Sequence, residues 1–190
     1  MLTEKSDEDL MALVANGHKL AFETLVKRHL PLAHAAAWRV CRGHEAEDIV
    51  QDAFTKLWVS APSFRPEKSK FSTWFYRIVI NTGIDRMRSR KPTADANWDM
   101  MADPADSAEA EVAKREESGQ VQSAIAALPD RQRTAISLCY DQGFSNQQAA
   151  DIMGIHIKAL EGLLVRARKT LKSALSQLAE TGGRYERQSG

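Results

Sequence analysis

Phe144-Ser-Asn-Gln-Gln-Ala-Ala-Asp-Ile-Met-Gly-Ile-His-Ile-Lys-Ala-Leu160 encodes a helix, a stop and the start of a second helix. Ser145 and Gln148 form an S-x-x-Q capping box, in which each side chain satisfies a backbone N–H at the start of a helix. Ala149 and Ala150 are small enough for another helix to cross closely. Gly154 can take the left-handed conformation that ends a helix in a tight turn. Beyond it, Ile157, Leu160, Leu164, Ala167 and Leu171 recur at helical spacing and anchor the second helix. Its other face offers His156, Lys158, Glu161, Gly162, Val165, Arg166 and Lys169, with Arg168 beside them. A recognition helix reads base edges in this way while flanking cations hold phosphates, with Ser145 and Asn146 at the entry of the preceding helix. Plain helical hairpins share the alanines and the glycine; the Arg166-Ala-Arg-Lys169 cluster favours DNA.

Upstream the pattern is also helical. In His44–Trp58 the apolar residues Ala46, Ile49, Val50, Ala53, Phe54, Leu57 and Trp58 follow the i, i+3, i+4, i+7 spacing of one face, with Glu45, Asp48, Gln51, Asp52 and Lys56 opposite. Leu20–Cys41 reads as a helix that Pro31 should kink or divide. Ser6 and Asp9 cap a short first helix ending near Gly17, and Phe71–Arg90 is a long helix stopped by Pro92. Residues 92–108 have no clear period and read as a linker. Helices are expected near 109–127, 130–141, 145–153 and 156–179. The fold class is therefore all-α: two small helical domains, 1–91 and 109–179, a flexible linker over 92–108 and a mobile tail over 180–190.

The 190 residues carry a net charge of only +1, but the charge is segregated. Arg77, Arg86, Arg88, Arg90 and Lys91 surround one acid, Asp85. Lys158, Arg166, Arg168, Lys169 and Lys172 surround another, Glu161. An acidic stretch from Asp95 to Glu117 lies between. Two basic segments flanking an acidic one suit two contacts with a polyanion, although solvated helix faces would look the same. No apolar run approaches the roughly 20 residues of a membrane span, and the polar N-terminus is no signal peptide, so the cytoplasm is expected. Cys41 and Cys139 are expected as reduced thiols. His18, His29, His34, His44 and His156 are scattered, with no HExxH and no glycine-rich phosphate loop. Cys41-Arg-Gly-His44 has no second ligand pair for zinc. No catalytic residue, metal, cofactor or small-molecule substrate is expected.

Three blocks together resemble the extracytoplasmic-function sigma factors, subunits of bacterial RNA polymerase in the sigma-70 family. They are Ala46-Glu-Asp-Ile-Val-Gln-Asp-Ala-Phe-Thr-Lys-Leu-Trp58, then Phe71-Ser-Thr-Trp-Phe-Tyr-Arg-Ile-Val-Ile-Asn-Thr-Gly-Ile-Asp-Arg-Met-Arg88, then Leu128-Pro-Asp-Arg-Gln-Arg-Thr-Ala-Ile136 with the helix-turn-helix. The resemblance implies that the first block grips the clamp helices of the largest subunit of core polymerase through Asp48, Ile49, Gln51, Asp52 and Phe54. Of these, Ile49 doubles as a core residue and the polar three are the better contacts. It implies that the second block and the loop 60–70 melt and read the minus-ten element, with Phe64, Arg65, Lys68, Lys70, Trp74, Arg77, Asn81, Arg86 and Arg88 on DNA. Melted strands need cations for phosphate and flat side chains for unstacked bases; Phe64 is expected as the platform and Trp74 as core. The third block, with Arg133, would read the minus-thirty-five element. Relatives often carry Lys or Arg where Glu161 and Leu163 stand, so Glu161 is expected either to accept from a cytosine edge or to pair with Lys158 or Arg168. The resemblance also implies an anti-sigma partner and stress-response targets. Two other classes stay open: a stand-alone helix-turn-helix regulator, which leaves 46–90 without purpose, and a pure protein-interaction module.

Overall fold

The computed structural model describes residues 1–41, 43, 45–90, 119 and 121–185, and all regular structure among them is helical. The first domain holds α1 (Asp7–Ala15), α2 (Lys19–Cys41), α3 (Ala46–Ser60) and α4 (Phe71–Arg90). Ser6 Oγ accepts from Asp9 N at 3.1 Å, and Gly17, at φ +80°, turns the chain after α1. The second domain holds α5 (121–126), α6 (Asp130–Ile136), a π-helical turn over Ser137–Asp141, α7 (Asn146–Met153) and α8 (Ile157–Tyr185).

The four helices of the first domain close on Leu10, Leu25, Ile49, Leu57, Phe71 and Phe75, all fully buried. Phe71 and Phe75 stack with centroids 5.6 Å apart, and Phe54 lies 4.8 Å from Phe75. Each such ring contributes about 1.5–3 kcal/mol by leaving water. The start of α4 is tied to α1: Glu8 Oε1 accepts from Phe71 N at 2.9 Å, placing a carboxylate at a helix N-terminus where orphan N–H groups favour it. Asp7 accepts from Arg28 at 2.7 Å and pairs with His29 at 2.8 Å, fixing α1 on α2. Gly83 lets α4 approach α2 closely; a Cβ there would stand 2.9 Å from Val40 Cγ1.

The second domain packs around Leu128, Leu138, Ala149, Ala150, Ile152 and Leu160, all at zero exposure. Its α7 rests on α4, and its α6 on the end of α2. At this seam Arg133 Nε donates to Arg39 O at 2.6 Å, and Arg39 bonds Gln122 at 2.9 Å and Asp141 at 3.2 Å. Tyr76 meets Phe144 edge-on at 5.0 Å.

Three expectations are refined or corrected. Of the two outcomes expected at Pro31, a kink or a division, the structure excludes division: α2 runs unbroken from Lys19 to Cys41. Proline removes one intrahelical bond there, but Ala33, Ala36, Ala37 and Val40 are buried beyond it, so packing keeps the second half helical. The helix expected over 130–141 widens into a π turn at Ser137. The last helix continues to Tyr185, past 179 and into the expected tail. The expected linker at 92–108, the helix start near 109 and residues 186–190 lie outside the described residues.

Candidate nucleic-acid interface and acidic helix face

The helix-turn-helix forms as its capping chemistry dictates. Ser145 Oγ accepts from Gln148 N at 3.3 Å, and Gln148 Oε1 accepts from Ser145 N at 3.0 Å. Gly154 adopts φ 63°, ψ 36°, the left-handed stop. Lys158 N then donates to the His156 ring at 3.3 Å, which caps the start of α8. Leu160, Leu163, Leu164 and Ala167 are buried, while His156, Lys158, Glu161, Val165, Arg166, Arg168 and Lys169 are exposed on one open face with Ser145 and Asn146. The Arg166 guanidinium lies over Gly162; a Cβ there would meet its Nη1 at 3.5 Å. Arg168 donates back to Leu164 O at 3.2 Å. Glu161 pairs with neither Lys158 nor Arg168 among the described residues, so the helix-internal partner expected for it is not made.

Arg133 does not join this face. It is 2% exposed, donating to Leu128 O at 2.9 Å and to Asp130 at 2.6 Å besides Arg39 O. The guanidinium is a structural clamp at the seam, where it closes the loop before α6.

In the first domain the loop between α3 and α4 exposes Arg65, Lys68 and Lys70. Arg65 is fixed by donating to Pro62 O at 2.8 Å and Phe64 O at 2.9 Å. The aromatic assignment reverses. Phe64 is 8% exposed, wedged 5.2 Å from Trp74 and 6.3 Å from Phe71, whereas Trp74 is half-buried. Trp74 therefore offers the accessible ring, backed by Phe64. Arg77, Asn81 and Arg88 are exposed but border the second domain: Arg77 lies against Gly154, and Asn81 and Arg88 line a cavity of about 250 Å³ with Asp130, Arg131 and Met153.

On α3, Ile49 and Phe54 are buried at 0% and 6% and support the helix from within. Asp48, Gln51 and Asp52 are exposed. Gln51 borders a groove of about 730 Å³ between α2 and α3, lined by Phe22, Val26, Leu30, His34 and Trp58. Asp48 and Asp52 lie on the α4 side and share one partner, Arg86, at 3.1 and 2.7 Å; Glu45 is its third, at 2.8 Å. Burial works against the charge of Arg86, but the hydrogen bond and charge of Glu45, with Asp48 and Asp52, outweigh it and raise its pKa. The sequence places Glu45 on the polar face without marking it as a partner of Arg86, and it does not show the groove. The i, i+3, i+7 spacing of Glu45, Asp48 and Asp52 was the available signal for a shared cation.

Residues 25–93 match the family described as Sigma-70 region 2, and residues 118–171 the family described as Sigma-70, region 4. The chain is 33% identical over 181 residues to the ECF RNA polymerase sigma factor SigW of Bacillus subtilis, covering 87% of this chain and 94% of SigW. It belongs to the extracytoplasmic-function sigma factors. As such it is a transcription initiation factor and not an enzyme. Among solved structures this sigma factor is similar to CnrH of Cupriavidus metallidurans in complex with the cytosolic domain of CnrY, at 31% identity and a TM-score of 0.66, covering 91% of this chain and 99% of that one. It is also similar to the sigma factor RpoE in complex with the anti-sigma factor NepR from Bartonella quintana, at 27% identity and a TM-score of 0.62, covering 82% and 96%. No helix of the sigma factor among the described residues is long and apolar enough to cross a membrane.

Proposed function

We propose that this sigma factor grips the clamp helices of core RNA polymerase through Asp48, Gln51 and Asp52 on α3. Arg65, Lys68, Lys70, Trp74, Arg77 and Asn81 then engage the melted minus-ten strand. His156, Lys158, Glu161, Arg166 and Lys169 enter the major groove of the minus-thirty-five element. The observation that carries the reading is the open cationic face of α8, set behind a capped helix and a left-handed glycine stop. The acid face of α3 supplies the complementary feature, carboxylates at the rim of an apolar helix, which suit a basic helical partner. By likeness to RpoE in its complex with NepR, an anti-sigma factor holds this chain inactive in the cytoplasm until a stress signal releases it.

Titration of core polymerase with the full chain tests the polymerase surface. Asparagine is the informative substitution at Asp48 and Asp52, because a reversed charge would face Arg86 directly. Both side chains are more than half exposed, so the double variant Asp48→Asn/Asp52→Asn should stay within about 0.5 kcal/mol of wild type per site in stability. It should bind core about tenfold more weakly at low salt, because charges at an interface rim act on encounter. Unchanged affinity removes these residues from the interface.

A further inference from the structure

Arg86 stands among the basic residues of α4, where the chain pattern suggests phosphate. Its surroundings suggest otherwise. Nε meets Glu45 Oε2 at 2.8 Å, Nη1 meets Asp52 Oδ2 at 2.7 Å and Nη2 meets Asp48 Oδ2 at 3.1 Å. Each nitrogen of the guanidinium thus holds a different carboxylate, and the three carboxylates form one stripe along the first two turns of α3. In both aspartates only Oδ2 is engaged; Oδ1 has no partner among the described residues, and the side chains are 56% and 53% exposed.

Two further features fix Arg86 in place. Gly83, one turn earlier on α4, brings that helix within contact distance of Val40 and Ile49, so the backbone carrying Arg86 is set by core packing. Glu45 holds φ 60°, a left-handed conformation unusual for a residue with a side chain, and α3 has no side-chain cap hydrogen bond at its start. The Nε–Glu45 bond ties that turn to α4. Without a cation between them, Asp48 and Asp52 are like charges at i and i+4, an arrangement that repels. A rigid planar fork holds both at fixed separation, which a lysine cannot do.

We propose that Arg86 is a positioning residue of the polymerase interface: it holds one oxygen of Asp48 and one of Asp52 so that their other oxygens face the polymerase in a fixed geometry, and it does not contact promoter DNA. This rests on the reading that Asp48 and Asp52 face core polymerase. Engaging a phosphate instead would strip Arg86 of three carboxylates and leave those acids facing one another.

The test is a double-mutant cycle on core affinity, run with the full chain. Arg86→Met in the wild-type background is expected to weaken core binding about tenfold, the scale of coupling within one ion-pair network. In the Asp48→Asn/Asp52→Asn background the same substitution should change core affinity little. Arg86→Lys, which keeps the charge and loses the fork, should recover less than half of the loss on a logarithmic scale. Promoter affinity of holoenzyme assembled at saturating sigma factor should be unchanged. Four results would each overturn the proposal: unchanged core affinity with weakened promoter binding, tighter core binding by Arg86→Met, an equal loss in both backgrounds as expected of a purely structural arginine, and full recovery by lysine. If the wild-type chain does not bind core, or Asp48→Asn/Asp52→Asn binds as wild type does, the interface reading itself fails, and the proposal with it.

Discussion

Arg133 carries a full charge at 2% exposure, and its guanidinium is answered by Arg39 O, Leu128 O and Asp130. A buried cation with these partners is costly to remove, because it leaves carbonyls and a carboxylate unanswered in a dry site. Arg133→Met should lower stability to denaturant by about 3 kcal/mol or more. If Arg133 instead held a promoter phosphate, the variant would keep its stability and lose affinity for all sequences alike. Glu161 is the opposite case, exposed on the recognition face with no ion-pair partner among the described residues. If it accepts from a cytosine edge, Glu161→Ala should lose about 1–3 kcal/mol of binding at one base pair of the minus-thirty-five element. Binding across single-base promoter variants checks this. A flat profile with uniformly tighter binding would mean that only a repulsive charge had been removed.

Among the elements, α4 packs against α1, α2 and α3 and also carries α7 of the second domain. Its first N–H is capped by Glu8 of α1, Gly83 touches α2, and Arg86 fans onto α3. Alanine is a better helix former than glycine by about 1 kcal/mol. At Gly83, however, a methyl group would stand 2.9 Å from Cγ1 of the short, stiff, buried Val40, and overpacking of this kind costs about 1–3 kcal/mol. Gly83→Ala should therefore be neutral to destabilising in urea unfolding, by up to about 2 kcal/mol; a gain of 1 kcal/mol would show that the helices are not in close contact. The bounds of α4 were legible in the sequence because a helix end is local: Pro92 beyond it, a polar loop before it. The box at Ser145 and Gln148 and the stop at Gly154 were legible for the same reason. Burial of Arg133 and Phe64, and the fan at Arg86, were not. The two arginines depend on how closely residues distant in sequence approach, Arg133 with Arg39 and Arg86 with Glu45, and Phe64 on how the loop folds back onto Phe71 and Trp74; periodicity says nothing of either. Pro31 does not divide α2, because its local penalty is outweighed by the alanine face packed beyond it.

At the scale of the whole molecule the two domains lie against each other, and Arg77, Asn81 and Arg88 face the seam. If Arg77 and Asn81 engage the minus-ten strand as proposed, the strand must pass beside the second domain that borders them. The seam also buries an unanswered polar group. Tyr76 is 2% exposed beneath Phe144, and its hydroxyl has no hydrogen-bond partner among the described residues; burial holds its pKa well above the ordinary phenol value. An unanswered buried hydroxyl costs about 1–3 kcal/mol, which is relieved when the domains part and water reaches it. Tyr76→Phe keeps the ring and removes that cost, so it should raise the melting temperature by about 2–4 °C for each kcal/mol recovered. A fall would mean that the hydroxyl has a partner in solution. In the proposed function, one chain joins polymerase to a promoter through two helical surfaces. Run-off transcription from a promoter of this sigma factor, with purified core polymerase, tests it most directly. The expected result is a discrete transcript that requires the chain and falls sharply with Asp48→Asn/Asp52→Asn. A chain that binds the promoter by itself, yet adds nothing to core polymerase, would contradict it and leave a stand-alone helix-turn-helix regulator in its place.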